Sequence, residues 1–201
     1  AEFVSQAARL VREGRQLPLG GIAMPARTSP APDAPRVLIF SPHPDDEVIV
    51  GGLAVRLMRE QGWRAVNVAV TQGSSKARQA GRWDELQACC RYIGFDLLAT
   101  APGGLEKITA SARAADPAGW LRKVQRIAQI LAEQAPQAIL FPHDDDWNGT
   151  HIGTHHLVAD ALRTLGPGFT TLTVETEFWG AMDTPNLMVE LGEAAVADMI
   201  A

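Results

Sequence analysis

The spacing of apolar positions changes period repeatedly along the chain, and the changes divide it into alternating strands and helices. Short apolar runs with β-branched and aromatic residues read as strands at 37–41 (VLIFS), 65–71 (AVNVAVT), 96–100 (DLLAT), 138–142 (AILFP) and 170–178 (TTLTVETEF). Between them, helical spacing predicts helices over about 47–61, 82–93, 117–134 and 151–164. In the third, Trp120, Val124, Ile127, Ala128 and Leu131 share a face. Such alternation predicts an α/β protein, a Rossmann-like three-layer α/β/α fold with a mostly parallel sheet.

Both ends differ from this pattern. The opening EFVSQAARLVREGRQ puts Phe3, Val4, Ala7 and Val11 on one helical face, predicting a short amphipathic helix that packs on the body. Prolines at 18, 25, 30, 32 and 35 predict an extended linker over 17–35. Residues 1–35 are therefore expected to form an N-terminal helix and Pro-rich linker, and 36–201 one domain. The last segment, MVELGEAAVADMIA, still reads as helix at Ala201, so the natural chain is expected to continue.

Composition narrows the function. With 201 residues, 46% hydrophobic and 20% charged, the chain has the make-up of an ordinary soluble domain. A net charge of −5 excludes sequence-independent nucleic-acid binding, which needs a basic face. No apolar run approaches the roughly 18 residues of a membrane span, and no signal-peptide pattern opens the chain, so a cytoplasmic location is expected. Cys89 and Cys90 are adjacent within a helix, forming neither a disulfide framework nor a CxxC motif, and are expected to be inert packing.

Two clusters carry the chemistry. The first strand stops at PHPDDE, Pro42–Glu47, whose two prolines stiffen a turn leading directly into a helix. His43 and Asp46 can turn there toward one point. Imidazole and carboxylate are common zinc ligands, and a catalytic zinc takes three protein ligands and keeps a position for water. Asp45 would be free to act on that water. A plain helix start, with an aspartate capping amides and Glu47 facing the dipole, explains neither His43 nor the prolines.

The second cluster, HDDDWNGTHIGTHH at His143–His156, also follows a predicted strand, and in a parallel sheet both clusters emerge at one edge, where such folds bind ligands. His151 and His155 stand one helical turn apart on the stripe running through Val158 and Leu162, while His156 points elsewhere. Asp144 and Asp145 read as a solvated loop. Asp146, leading with Trp147 and Asn148 into the histidine helix, is placed to orient a ligand.

Over roughly residues 36–190 the pair of clusters resembles the LmbE-like, or PIG-L-type, zinc N-deacetylase family, in which a PHPDDE or AHPDDE turn works with a later HxxH-type element. The resemblance implies one zinc per chain held by His43, Asp46 and His151, with Asp45 as general base activating the zinc-bound water. His155 is the alternative third ligand. Arg82, in RWDELQ, matches the arginine of the family's R-x-x-E-L helix near the substrate pocket, although a structural ion pair is an equal reading.

Two departures matter. Asn148 stands where many relatives carry a histidine three residues before the last ligand, and an amide can donate to an oxyanion but cannot deliver a proton. The general acid is thus open among His155, His143 and Asp45. No acidic residue directly follows Gly73, so the family's substrate contacts there do not carry over.

The expected activity is hydrolysis of an N-acyl group, foremost N-acetyl, from an amino sugar such as N-acetylglucosamine or its glycoside. The partner is a small molecule, with homo-oligomerisation left open. A sugar- or metal-binding module without turnover is the alternative, opposed by the spare carboxylate of Asp45. A phosphate-ester hydrolase would need two metals about 3.5–4 Å apart, and too few ligands are placed for a second ion.

Overall fold

Strand β1 (Arg36–Ser41) lies at the centre of a five-stranded parallel sheet in a computed structural model that describes residues 1–16, 23, 24, 26 and 29–200. β2 (Arg64–Ala69) and β3 (Asp96–Ala99) extend the sheet to one side, β4 (Ala138–Pro142) and β5 (Leu172–Thr176) to the other. The chain therefore reverses its direction of winding between β1 and β4. Their C-terminal ends flank the crevice where open α/β sheets place ligands.

Side chains of each strand alternate between two cores, as the pleat requires. Leu38, Phe40, Val66, Val68, Ile139 and Phe141 pack under α6 (Pro117–Gln134) and α7 (Gly149–Leu165). Val37, Ile39, Ala65, Ala69 and Leu140 pack under α3 (Gly52–Gln61) and α4 (Gln79–Ile93). Three layers result, the Rossmann-like α/β/α arrangement expected. Helix α6 starts where Asp116 accepts from the Gly119 amide at 2.8 Å and Pro117 fills a first-turn position that needs no donor.

Several elements differ from expectation. The helix foreseen over 47–61 is broken into α2 (Asp46–Ile49) and α3, because the chain at Gly51 presses on the preceding turn. A Cβ there would lie 2.3 Å from the Glu47 carbonyl oxygen. A short helix α5 (Ala110–Ala115), capped by Thr109, was not foreseen. Helix α8 spans Glu193–Ile200, starting later than its apolar run.

Helix α1 (Glu2–Gly14) forms as predicted but does not pack on the body. It buries no residue, and Phe3 is 82% exposed. Local propensity and the Arg9–Glu13 pair one turn apart account for it. Of the linker foreseen over 17–35, residues 17–22, 25, 27 and 28 lie outside the described residues. Among the described residues, no helix is long and apolar enough to cross a membrane.

Candidate metal centre

The turn after β1 is held in an unusual conformation by its own side chains. Asp45 takes φ 104°, a left-handed value costly for any residue but glycine. Its amide donates to Glu47 Oε2 at 2.9 Å, and Glu47 is almost fully buried. The next carboxylate folds back, with Asp46 Oδ2 accepting from the His43 amide at 2.8 Å. Arg82 Nη2 donates to the Pro44 carbonyl at 2.6 Å and reaches Asp45 Oδ2 at 3.5 Å. Gly73 makes room for that guanidinium, since a Cβ there would lie 2.5 Å from Arg82 Nη1.

The strained turn points His43 and Asp46 inward and Asp45 outward. Asp46 is almost fully buried, whereas the Asp45 side chain is 69% exposed. From the other side of the crevice, α7 brings His151, which is 0% exposed. The helix is fixed by Asn148, whose Oδ1 caps the Thr150 amide at 2.8 Å. Gly153 lets the helix press on its neighbour, because a Cβ would lie 2.2 Å from the Ile108 carbonyl oxygen.

His43, Asp46 and His151 each offer a ligand atom, all within 4.8 Å of one another, and no second such group occurs among the described residues. Asp46 Oδ2 stands 3.3 Å from His43 Nδ1 and 3.4 Å from His151 Nε2. A tetrahedral ion with bonds near 2.0–2.1 Å separates its ligand atoms by roughly 3.3 Å. Both nitrogens of His151 are buried yet form no hydrogen bond within the protein, an expensive state for a polar ring. A divalent cation bound at Nε2 would remove part of that cost, so the donor set fits a metal.

Electrostatics agree. Burial acts to raise the Asp46 carboxyl, but His151 and His43 outweigh it and hold it below the usual range. Burial acts to lower His151, but Asp46 and then Asp146 outweigh it and raise the imidazole. The pocket thus favours an added positive charge, which a metal can supply in place of a proton. Asp45 is shifted up, first by burial and then by Asp46, against the pull of Arg82.

His43, Asp45, Asp46, Arg82, Asn148 and Trp179 all border one cleft of about 740 Å³. His151 lies beneath them. A second cavity, about 670 Å³ between β5, α3 and residues 182–191, contains none of these groups.

Two histidines foreseen as proton donors stand apart from this group. His155 does not border the cleft; its Nδ1 lies 3.0 Å from the Pro142 carbonyl oxygen and its ring packs on Phe141 and His156. At His143, Nε2 donates to the Gly180 carbonyl at 2.8 Å and Nδ1 accepts from the Asp145 amide at 3.3 Å. Neither ring is presented to a ligand in the cleft. Asp144 and Asp145 are exposed, as a solvated loop should be, while Asp146 is buried against His151.

The turn after β5 was missed in the sequence. Phe178 lies edge-on to the His151 ring, 4.7 Å between centroids, and Trp179 borders the cleft. An aromatic pair followed by glycine at the end of a strand, on the edge that carries both clusters, was the available signal.

The sequence matches the model of the PIG-L family, GlcNAc-PI de-N-acetylases, over residues 38–162. The chain belongs to this family. Solved structures share its fold. A conserved protein, TT1542, from Thermus thermophilus is 20% identical, with a TM-score of 0.57 over 82% of this chain and 78% of that one. The A40926 pseudoaglycone deacetylase Dbv21 is 18% identical, with a TM-score of 0.56 over 84% and 79%. The N,N'-diacetylchitobiose deacetylase of Pyrococcus horikoshii is 20% identical, with a TM-score of 0.50 over 83% and 61%. No curated protein matched the sequence. Family membership supports a hydrolase of the deacetylase type.

Proposed function

We propose that this protein is a zinc-dependent hydrolase that removes an N-acyl group, foremost acetyl, from an amino sugar or its glycoside. One observation carries the reading: His43, Asp46 and His151 converge on one point beneath a cleft, and Asp45 stands unligated beside them. The family's description as de-N-acetylases supports the bond and the sugar class. A zinc ion on these three residues would polarise a water and the acyl carbonyl, lowering the pKa of the water toward roughly 7.

The chain's own residues supply the proton traffic. Asp45 takes a proton from the attacking water as oxygen adds to the acyl carbon. The oxygen of the carbonyl gains charge, and the Asn148 amide, whose Oδ1 is committed to the helix cap, has its Nδ2 available to donate to it. When the C–N bond breaks, Asp45 returns the proton to the leaving nitrogen, giving the carboxylic acid and the free amine. Its position, unligated and at the border of the cleft beside His43 and Asp46, suits both halves of the task. Arg82 braces the turn from the pocket wall, so its ion pair and its place beside the substrate are one role.

The test is elemental analysis of the purified protein together with amine release from N-acetylglucosamine and its glycosides. We expect one zinc per chain and release that stops with a chelator and returns with zinc. Bound sugar with no amine released would make the protein a binding module and refute the proposal.

A further inference from the structure

The turn at Phe178–Gly180 is held from three directions. The Trp179 and Gly180 amides donate to Asp146 Oδ2 at 3.0 and 3.3 Å. His143 Nε2 donates to the Gly180 carbonyl at 2.8 Å, and the Phe178 ring abuts His151. Gly180 has no room for a side chain, since a Cβ would meet the Asp145 carbonyl oxygen at 2.7 Å. Two acceptor or donor groups on this turn's partners, Asp146 and His143, are themselves buried. This backbone is rigidly placed.

What the turn presents is an indole left 57% exposed at the border of the cleft. Burying an indole releases a large apolar area, so an uncovered one on a well-held backbone is a ready surface for a ligand. The other groups bordering the cleft are mainly polar or charged, Asp45, Lys76, Arg82 and Lys107 among them. A pyranose offers complementary surfaces: a face of C–H groups for the indole and a rim of hydroxyls for the polar walls. Trp179 borders the same cleft as His43, Asp45 and Asp46, so a ring on the indole occupies the space onto which those groups open.

We infer that Trp179 is a specificity-determining residue on which the sugar ring of the substrate stacks within the cleft bordered by His43, Asp45 and Asp46. This rests on the function proposed above. Asp146 then links both ends of the substrate, with one oxygen facing His151 and the other anchoring the stacking turn. Trp147, 83% exposed but outside the cleft, is the internal comparison.

The experiment compares zinc-loaded wild type, Trp179→Ala, Trp179→Phe and Trp147→Ala on an N-acetylglucosamine glycoside. Stacking should be lost equally from ground and transition states, so Trp179→Ala should raise KM roughly ten- to a hundredfold with kcat nearly unchanged. Trp179→Phe should recover most of the loss, and Trp147→Ala should behave as wild type. Zinc content and melting temperature should be the same in all four. In an Asp45→Asn background, the glycoside should change tryptophan fluorescence, and Trp179→Phe should abolish the change. An unchanged KM in Trp179→Ala, or an equal rise in Trp147→Ala, overturns the inference while leaving the deacetylase reading intact. A sugar that quenches Trp179 but is never hydrolysed refutes the deacetylase reading and leaves the stacking site standing. Neither turnover nor quenching with any N-acetylated sugar overturns both.

Discussion

Asp146 Oδ1 lies 3.3 Å from His151 Nδ1, with both side chains sealed from solvent. Because Asp46 faces the other ring nitrogen, the imidazole is set between two carboxylates, and a metal bound at Nε2 would leave the ring proton on Nδ1, facing Asp146. Backbone donors at Asn148, Trp179 and Gly180 overcome the effect of burial and hold Asp146 below the usual carboxylate range. Asp146→Asn should therefore lower zinc affinity by about 10- to 100-fold. Competition against a fluorescent chelator reads this directly, and unchanged affinity would confine Asp146 to anchoring the turn after β5.

Asp45 should separate chemistry from binding. It is the one carboxylate of the turn facing outward, so Asp45→Asn leaves the three ligand groups in place. We expect zinc content near that of wild type and a loss of about 10²–10⁴ in kcat. By contrast, His43→Ala, Asp46→Ala and His151→Ala should each lose metal as well as rate. Zinc retained by all three would remove the site.

Asn148 has two roles that one substitution can divide. Aspartate caps a helix as well as asparagine does, so Asn148→Asp should keep the melting temperature within a degree or two. It has no amide donor and adds negative charge where the acyl oxygen gains charge. A fall of roughly 10²–10³ in kcat is expected. If kcat holds, the side chain serves only the cap.

How much of this was legible follows from the range of each interaction. The PHPDDE turn could be read because a β-type run, two prolines and the ligand types are contiguous, and parallel strand order then brings His151 to the same edge. His143 and His155 could not be told apart as proton donors because position along the chain says nothing about ring nitrogens; in the fold, His143 Nε2 meets the Gly180 carbonyl and His155 Nδ1 that of Pro142. Glu47 has no part in the metal-site reading of the sequence, yet it holds the Asp45 amide, a role set by burial beneath α4 rather than by local pattern. The Trp179 turn depends on contacts to His143 and Asp146 in the loop after β4 and to His151 in α7 that no local periodicity encodes.

The cysteines give a chemical check on the layer beneath the site. Burial, followed by the Glu47 carboxylate, pushes Cys90 up to about 12 and raises Cys89 as well. Cys89 is half-buried and Cys90 buried, so almost no thiolate is present at pH 8. Both should resist a disulfide reagent in the native protein and react once it is denatured. Rapid native labelling would mean that α4 opens from the sheet.

His156 supplies a pH dependence away from the metal ligands. Burial lowers its pKa, and Arg113 and His155 lower it further, against Asp160 and Asp144. The Arg113 guanidinium is itself fixed by Asp160, at 2.9 and 2.8 Å, so its charge cannot move away. A folded pKa below the unfolded value of about 6.5 means that the unfolded chain takes the proton first. The resulting stability is fully present above that value and is lost as pH falls through the folded pKa. His156→Gln removes the titration, so its urea midpoint should fall less than that of wild type between pH 7.5 and pH 5.5. An identical fall in both proteins would show that the ring titrates alike folded and unfolded, and that the packing of α7 against α5 does not exclude the imidazolium.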